Sequence, residues 1–275
     1  MCVQSRKCLI EWAGEATELE EFQMGNHTSC RICEALEHVN TVMEKCRLCR
    51  TKIKDIELLG EHEFVFDWLP FHWPNSECVK LIALTMEPSD PGARREPDPV
   101  MSASRVLIYA LRRLLVQPSD GFLITSIAKC SLTVKKASET HGQRWDLCSP
   151  FLLQEIDALM KTVLLCPNFS IVTVGNHPDG FLRKAPSMTK FVPQRLGKLT
   201  HFGAFRGGRF KVVPAEEKAF ARFVEKHEPD YRAFVKEHIS WDQDELDREL
   251  GHDIQILFKW NQEMDPRRER GRAHT

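Results

Sequence analysis

Apolar runs of strand length alternate with helical patterns through most of this chain, and this alternation restricts the fold more than any other feature. The runs are short and nearly continuous, which is typical of strands buried on both faces of a sheet. The turn sequence EPSDPG at 87–92 follows the first run. We predict strands at residues 78–84, 121–128, 169–174 and 209–213.

Helical patterns fill the intervals between these strands. Apolar residues after Ser104 recur at i, i+3 and i+4 as far as Leu115, and Ser104 can cap that helix. Ser149-Pro150 predicts the start of another helix, because proline suits the first helical turn. The apolar stripe of that helix is predicted to be Leu152, Leu153, Ile156, Met160 and Val163. Residues 215–227 and 229–264 also have helical patterns.

Strands that alternate with amphipathic helices predict an α/β fold, a three-layer sandwich with a central, mostly parallel four-stranded sheet. A cysteine-rich N-terminal segment (1–76) precedes this core (77–228), and a helical extension (229–264) and a basic flexible tail (265–275) follow it. No apolar run has the length of a membrane span, and the N-terminus lacks the apolar stretch of a signal peptide. We therefore expect a cytoplasmic monomer without a membrane partner.

Ten cysteines are many for a protein of a reducing compartment. Four of them form two Cys-x-x-Cys pairs, Cys30/Cys33 and Cys46/Cys49, a spacing that indicates metal-binding thiolates more often than disulfides in the cytosol. The two pairs together also match the spacing of a structural zinc site. The cysteines without such a pair are predicted to be buried or free thiols; they include Cys2, Cys8, Cys78 and Cys166.

The net charge of −1 excludes a uniformly basic surface, so any contact with nucleic acid must be local. One stretch, residues 180–215, contains no Asp or Glu and interleaves cations with phenylalanines. Cations neutralise phosphates and aromatic rings stack on bases, so this stretch predicts a DNA contact. The residues assigned to that contact are Arg183, Lys184, Arg206, Arg209 and Lys211.

Three segments, 84–89 (LTMEPS), 122–130 (FLITSIAKC) and 147–156 (LCSPFLLQEI), occur in an order and strand context that one family shares. They resemble, in turn, the first active-site loop, the strand-plus-cysteine motif and the second cysteine segment of the iron–sulfur branch of the uracil-DNA glycosylase superfamily. The resemblance covers roughly residues 30–220. It implies an α/β enzyme that extrudes a base from DNA and hydrolyses its N-glycosidic bond.

The resemblance also implies a [4Fe–4S] cluster with four thiolate ligands. Cys130 and Cys148 match two ligands of the family. The preferred second pair is Cys46 and Cys49, which lie nearer the first strand, as in the family. The alternative pair is Cys30 and Cys33, and zinc is the alternative metal.

The loop after the first strand supplies the catalytic candidates that the resemblance implies. A carboxylate beside the sugar can orient the attacking water and offset the developing positive charge, and Glu87 is assigned this role. Its neighbours Met86 and Pro88 are assigned to substrate binding. Asp90 is the fallback carboxylate, with Glu217 after it.

Two departures from the family pattern concern the base. Ser126 stands where the family has the asparagine that reads uracil, and a hydroxyl cannot make the paired contacts of an amide. The family's His-Pro motif after the last strand is missing, whereas His177-Pro178 follows the predicted third strand. His177 is therefore assigned to stabilise the departing base.

These residues predict a DNA glycosylase that removes a modified, damaged or deaminated pyrimidine, with a hypermodified phage base as one substrate and antiviral defence or DNA repair as its role. Two alternatives stay open. One is a non-catalytic iron–sulfur protein that binds DNA on a glycosylase scaffold. The other is a zinc-ribbon interaction protein.

Overall fold

Five strands form one sheet in the order β1-β3-β2-β4-β5. They are β1 (Phe71–His72), β2 (Cys78–Thr85), β3 (Asp120–Ser126), β4 (Leu165–Val174) and β5 (Arg195–Leu199). The four longer strands run parallel, and β1 pairs antiparallel with β3. The computed structural model describes residues 31–44, 46, 48, 52, 71–72, 76–86, 102–115, 117, 119–129, 137–201, 203–206, 211–238 and 243–265.

The described helices are α1 (Arg31–Glu44), α2 (Ser102–Leu114), α3 (Ala137–Lys161), α4 (Asn176–Lys184), α5 (Gly203–Arg206), α6 (Glu217–His238) and α7 (Gln243–Glu263). Short 3₁₀ turns cover Thr189–Gln194 and Pro214–Glu216. The α/β class and the four-stranded parallel sheet predicted from the sequence are confirmed. None of the helices in these ranges is long and apolar enough to cross a lipid bilayer.

The chain divides into two compact units. The sheet unit comprises Cys30–Pro97 and Leu115–Lys198, and the helical unit comprises Met1–Ser29, Asp98–Leu114 and Leu199–Thr275. In the sheet unit, α1 packs against α3, and α3 and α4 pack against β4. In the helical unit, α2, α6 and α7 pack together. Helix α6 runs without a break through position 229, where the sequence suggested a boundary.

The central strands form because their apolar side chains are buried on both faces. Every residue of β3 after Asp120 is buried, and so are the last five residues of β2. This pattern confirms the strands predicted at 78–84 and 121–128. Strand β4 begins at Leu165, four residues before the predicted start, and bulges: Val79 pairs with Leu165, but Leu81 pairs with Ser170.

The strand predicted at 209–213 is wrong. Residues 211–213 have no regular structure, residues 209–210 lie outside the described part of the chain, and the fourth long strand is β5. The sequence of β5, RLGKL, contains two cations and therefore lacks the continuous apolar run of an inner strand. In the structure its residues are not all buried, and the more buried ones alternate with more exposed ones. Its place beside β4 is decided by pairing across the sheet.

The predicted helix start at Ser149-Pro150 is also wrong, because α3 begins at Ala137 and continues through Pro150. Proline cannot donate to the carbonyl four residues earlier, that of Asp146. The Ser149 hydroxyl donates to this carbonyl instead, at 3.2 Å. The buried stripe runs through Leu152, Glu155, Ile156 and Leu159, whereas Met160 and Val163 of the predicted stripe are exposed.

Two cysteines predicted to lack a partner form a disulfide. Cys78 at the start of β2 is bonded to Cys166 of β4, with 5.6 Å between their Cα atoms. Four residues of β4, 166–169, face one residue of β2 at the adjacent bulge. The prediction missed the bond because the two positions are 88 residues apart and become neighbours only through strand pairing.

Candidate functional site

The carboxyl ends of β2, β3 and β4 meet at one edge of the sheet. Thr85 pairs with Ser126, and Leu84 pairs with Thr173. Strand β2 is central, and the chain moves from it to β3 on one side and later to β4 on the other. Such a change of direction opens a crevice at the strand ends, where parallel α/β proteins bind ligands. We call the residues around this crevice the carboxyl edge.

Backbone hydrogen bonds extend the pairing of β2 and β3 beyond the strands. The N–H of Ile127 donates to the carbonyl of Thr85, and the N–H of Ala128 donates to that of Met86, both at 3.0 Å. The described parts of the two segments, 84–86 and 122–129, are therefore held side by side where the carboxyl edge begins. Ser126 is buried here and Met86 is half-buried, so both residues assigned to the base lie at the same edge.

A buried ion pair connects the third segment to the second. The Lys129 ammonium donates to Glu155 Oε2 and to the Thr125 hydroxyl, which in turn donates to the same carboxylate oxygen, each at 2.7 Å. Glu155 is fully buried in α3 and Lys129 is 7% exposed. The other oxygen, Glu155 Oε1, is buried without a hydrogen-bond partner among the described residues. This triad attaches α3 to the end of β3.

A sharp turn leads from β4 into α4. Gly175 has φ 98°, a left-handed conformation that residues with a Cβ rarely adopt. The turn places Asn176 and His177 in the first turn of α4, directly after the carboxyl end of β4. His177 is exposed, and its ring lies edge-on to Trp145 of α3 with 5.7 Å between centroids.

An open depression of about 450 Å³ lies between α3 and α4. Trp145 and Phe181 form its apolar wall, with ring centroids 5.9 Å apart. His177, Lys184 and Asp146 add polar groups to its lining. An aromatic wall next to an exposed cation suits a stacked base and its phosphate.

Part of the positive charge of the basic stretch is neutralised within the protein. Asp179, in the first turn of α4, accepts hydrogen bonds from Arg195 at 2.6 Å and from Thr173 at 3.0 Å. Burial works to raise the pKa of Asp179, but the hydrogen bond and charge of Arg195 outweigh it and lower the pKa below its usual value. Arg183 lies 3.6 Å from the same carboxylate and is largely exposed.

The remaining members of the predicted DNA contact divide into two groups. Lys184 and Lys211 are exposed. Arg209 lies outside the described residues, and so does the side chain of Arg206, whose backbone closes the short helix α5. Arg195, which belongs to the basic stretch, is instead held in a structural ion pair by Asp179, the residue just before that stretch.

The packing of α1 on α3 brings one N-terminal cysteine toward the family-like cysteine segment. Cys46 packs against a small apolar cluster of Val39, Met43 and Phe151. Phe151 is one helical turn from Cys148, which is buried in α3. Cys46 and Cys148 therefore belong to neighbouring regions of the sheet unit. The other members of the predicted cluster, Cys49 and Cys130, lie outside the described residues.

Helix α1 separates the two N-terminal cysteine pairs. Cys33 lies in its first turn, whereas Cys46 follows its last residue, Glu44. From Cys33 to Glu44 an α-helix rises by about 16 Å, at about 1.5 Å per residue. The thiolates of a single zinc ion lie within a few ångströms of each other. One zinc site built from both pairs would need Cys33 and Cys46 close together; with Cys30 and Cys49 outside the described residues, that alternative stays a prediction.

Several assigned residues cannot be placed. Cys30, Glu87, Pro88 and the fallback Asp90 lie outside the described residues. Glu217, the other fallback, is exposed at the first position of α6. Among the described candidates, the structure brings Met86, Ser126 and His177 to the ends of adjacent strands.

Lys129 and Glu155 belong to the quoted segments, but the sequence analysis gave them no role. Glu155 does carry a signal, because it lies three residues after Leu152 and one before Ile156, on the apolar stripe. A charged residue on such a stripe is buried only when it is paired.

The sequence matches no protein-family model, and no curated protein is significantly similar to it.

Proposed function

We propose that this protein is a DNA glycosylase that hydrolyses the N-glycosidic bond of a non-standard pyrimidine. We also propose that the enzyme is cytoplasmic and monomeric. The supporting observation is that the three glycosylase-like segments, far apart in the chain, are bonded to one another at the carboxyl edge. Consecutive strands pair in many α/β folds, so the support comes from the combination of the glycosylase-like residues of the segments with this contact.

The reaction assigns a role to each part of this edge. Water attacks the anomeric carbon of the sugar, the C–N bond breaks, and the base leaves as an anion that takes up a proton. Glu87, the residue after Met86, orients the water and offsets the positive charge on the sugar. Ser126 contacts the base, and His177 stabilises the departing anion. A serine side chain is smaller than that of asparagine, so we propose that the base it contacts is a bulkier modified pyrimidine, such as one from phage DNA.

Excision assays on DNA test the activity. Single- and double-stranded oligonucleotides carrying uracil or modified pyrimidines are incubated with the protein, and abasic sites are detected by alkaline cleavage. Glu87→Gln is expected to lose roughly two to four orders of magnitude in rate while still binding DNA. The matched control is Glu77→Gln, an exposed residue before the opposite end of β2, which should match wild type. Binding without excision from any substrate would favour the non-catalytic DNA-binding alternative.

Ser126→Asn tests base recognition at the same edge. An amide restores the paired hydrogen bonds that read uracil, so the ratio of uracil to modified-base excision should rise. Unchanged ratios in this variant would place the base away from Ser126.

The proposed DNA contact is tested by salt dependence. Replacing Arg206 and Arg209 with Ala should weaken binding and reduce its salt slope by about one unit for each lost phosphate contact. Arg222→Ala, an exposed cation of α6, is the control and should leave affinity and slope unchanged. Equal slopes for all three proteins would move the DNA contact elsewhere.

We further propose a [4Fe–4S] cluster held by Cys46, Cys49, Cys130 and Cys148. Cys46 packs against the small apolar cluster that contains Phe151, one helical turn from Cys148 within α3, and this contact supports Cys46 as a ligand. The cluster would brace the N-terminal segment against the core. Anaerobically purified protein should be brown, with broad absorbance near ~400 nm. Cys148→Ala should bleach it and Cys33→Ala should not; zinc in place of iron would contradict the proposal.

A further inference from the structure

The amino ends of three neighbouring strands bring two cysteines and a carboxylate together, at the edge of the sheet opposite the carboxyl edge. Cys78 begins β2, Asp120 begins β3 as its register partner, and Cys166 is the second residue of β4. The two sulfurs and a carboxylate oxygen all lie within 4.8 Å of one another. We call these three residues the amino-edge cluster.

The charge of the amino-edge cluster depends on the state of its sulfurs. In the disulfide both sulfurs are neutral, and Asp120 supplies the only formal charge of the three. After reduction, deprotonated thiols would add two negative charges within a few ångströms of that carboxylate. Repulsion at such distances is strong unless a cation is bound between the groups. The reduced cluster therefore favours either protonated thiols or a bound cation.

The donor atoms select the kind of cation. Thiolate sulfur and carboxylate oxygen are both zinc ligands, and zinc takes four ligands, of which water can be the fourth. Calcium and magnesium prefer oxygen donors alone. The strand pairing holds the three backbones in place, and Cys166 lies 5.6 Å from Cys78 between Cα atoms. Zinc binding thus needs no change in the order or pairing of the strands.

We propose that the amino-edge cluster is a redox-gated zinc site. A low-molecular-weight thiol such as glutathione reduces the disulfide: two electrons and two protons pass to Cys78 and Cys166, and two glutathione molecules leave as one disulfide. Zinc then displaces both protons and is bound by the two thiolates and Asp120. Oxidised glutathione reverses the process, accepting the two electrons, re-forming the Cys78–Cys166 bond and releasing the zinc. This proposal is independent of base excision.

Zinc counting on the full-length protein tests the site. The protein is reduced with glutathione, freed of excess thiol and titrated with zinc against a colorimetric chelator. Wild type should bind one zinc more than Cys78→Ser. Zinc held by the other cysteines is present in both proteins, so it cancels when the two counts are subtracted. Asp120→Asn, which keeps the disulfide, should lower the affinity by roughly ten- to a hundredfold. Asp244→Asn, an exposed carboxylate of α7, is the control and should bind as wild type.

A second measurement needs no variant. Zinc should protect Cys78 and Cys166 of the reduced protein from alkylation, and oxidised glutathione should release one zinc and restore the Cys78–Cys166 linkage in peptide maps. Equal zinc content in reduced wild type and Cys78→Ser, or alkylation unaffected by zinc, would overturn the proposal. A disulfide that glutathione does not open would overturn it as well, and would identify the bond as purely structural.

Discussion

Each of the two units buries a cation, a carboxylate and a hydroxyl in one hydrogen-bonded triad, but the surroundings of the two triads differ. In the helical unit, Arg105 Nε and the Tyr231 hydroxyl donate to the same Asp253 oxygen, at 2.7 and 2.6 Å. In the sheet unit, Lys129 and Thr125 donate to one oxygen of Glu155. All three residues of the helical triad lie in helices, whereas two residues of the sheet triad come from the end of a strand and the turn after it.

The two triads differ in the parts of the chain that they connect. Arg105, Tyr231 and Asp253 belong to three different helices, α2, α6 and α7, and are fully or almost fully buried. Burial, with the nearby Asp253 carboxylate, raises the pKa of Tyr231 well above its usual value, so the hydroxyl remains a donor. The Lys129 triad instead positions the chain that carries Ser126. We expect the helical triad to act on stability and the sheet triad to act on stability and activity together.

The largest expected effect comes from breaking the helical triad. Arg105→Met leaves the Asp253 carboxylate buried without its cation, which typically costs about 3–5 kcal/mol. Urea unfolding measures the loss. Adding Asp253→Leu should recover part of it, because a fully apolar replacement leaves no buried charge. Arg248→Met, at an exposed ion pair, should change stability by less than about 1 kcal/mol; an equally small effect of Arg105→Met would contradict the comparison.

Breaking the sheet triad should cost less stability but more activity. Lys129→Met removes two hydrogen bonds from the triad at a position closer to solvent, for a loss of about 2 kcal/mol. Because the turn that follows Ser126 loosens, the base excision that we propose should also fall at least about tenfold in the folded variant. Lys161→Met, at the exposed end of α3, is the control. Full activity in folded Lys129→Met would make the two triads equivalent.

A third carboxylate, Asp179, tests the sheet unit away from its triad. The pKa of Asp179 is lowered in the folded protein. Its contribution to the free energy of unfolding is therefore fully present above the unfolded pKa of about 3.9 and is lost as the pH falls through the folded pKa. Asp179→Asn should therefore lose about 1.5 kcal/mol at pH 7 and progressively less below about pH 4. Urea midpoints measured across this range check the trend, and a deficit independent of pH would refute it.

The smallest expected effect is a gain in stability of the sheet unit. Val163 has φ 57° just after α3, where its N–H donates to Met160 and that of Leu164 donates to Leu159. This left-handed position usually belongs to glycine, because a β-branched side chain is strained there. Val163→Gly should stabilise the protein by about 1 kcal/mol. Val163→Ala, which keeps a Cβ, should gain less, and a loss of stability with Gly would contradict the strain.

The sequence predicted the inner strands well because their signal is local. Strands β2 and β3 are continuous apolar runs, and burial on both faces leaves few other structures open to them. Strand β5 lacked that signal, since its cations and alternating burial also suit a loop. Pro150 gave a misleading signal. The Ser149 hydroxyl donates the hydrogen bond that the missing backbone N–H of Pro150 would have donated, and the helix continues.

The sequence by itself determined the α/β class and the positions of the two inner strands β2 and β3 along the chain, because each follows from neighbouring residues. Only the tertiary structure decided which distant side chains meet. Lys129 pairs with Glu155 across 26 positions, and Cys78 pairs with Cys166 across 88. A local pattern can indicate that a residue such as Glu155 is paired, but it does not identify the distant residue that is its partner. Their partners are chosen when strand register and helix packing bring them together, and burial then requires the charges to pair.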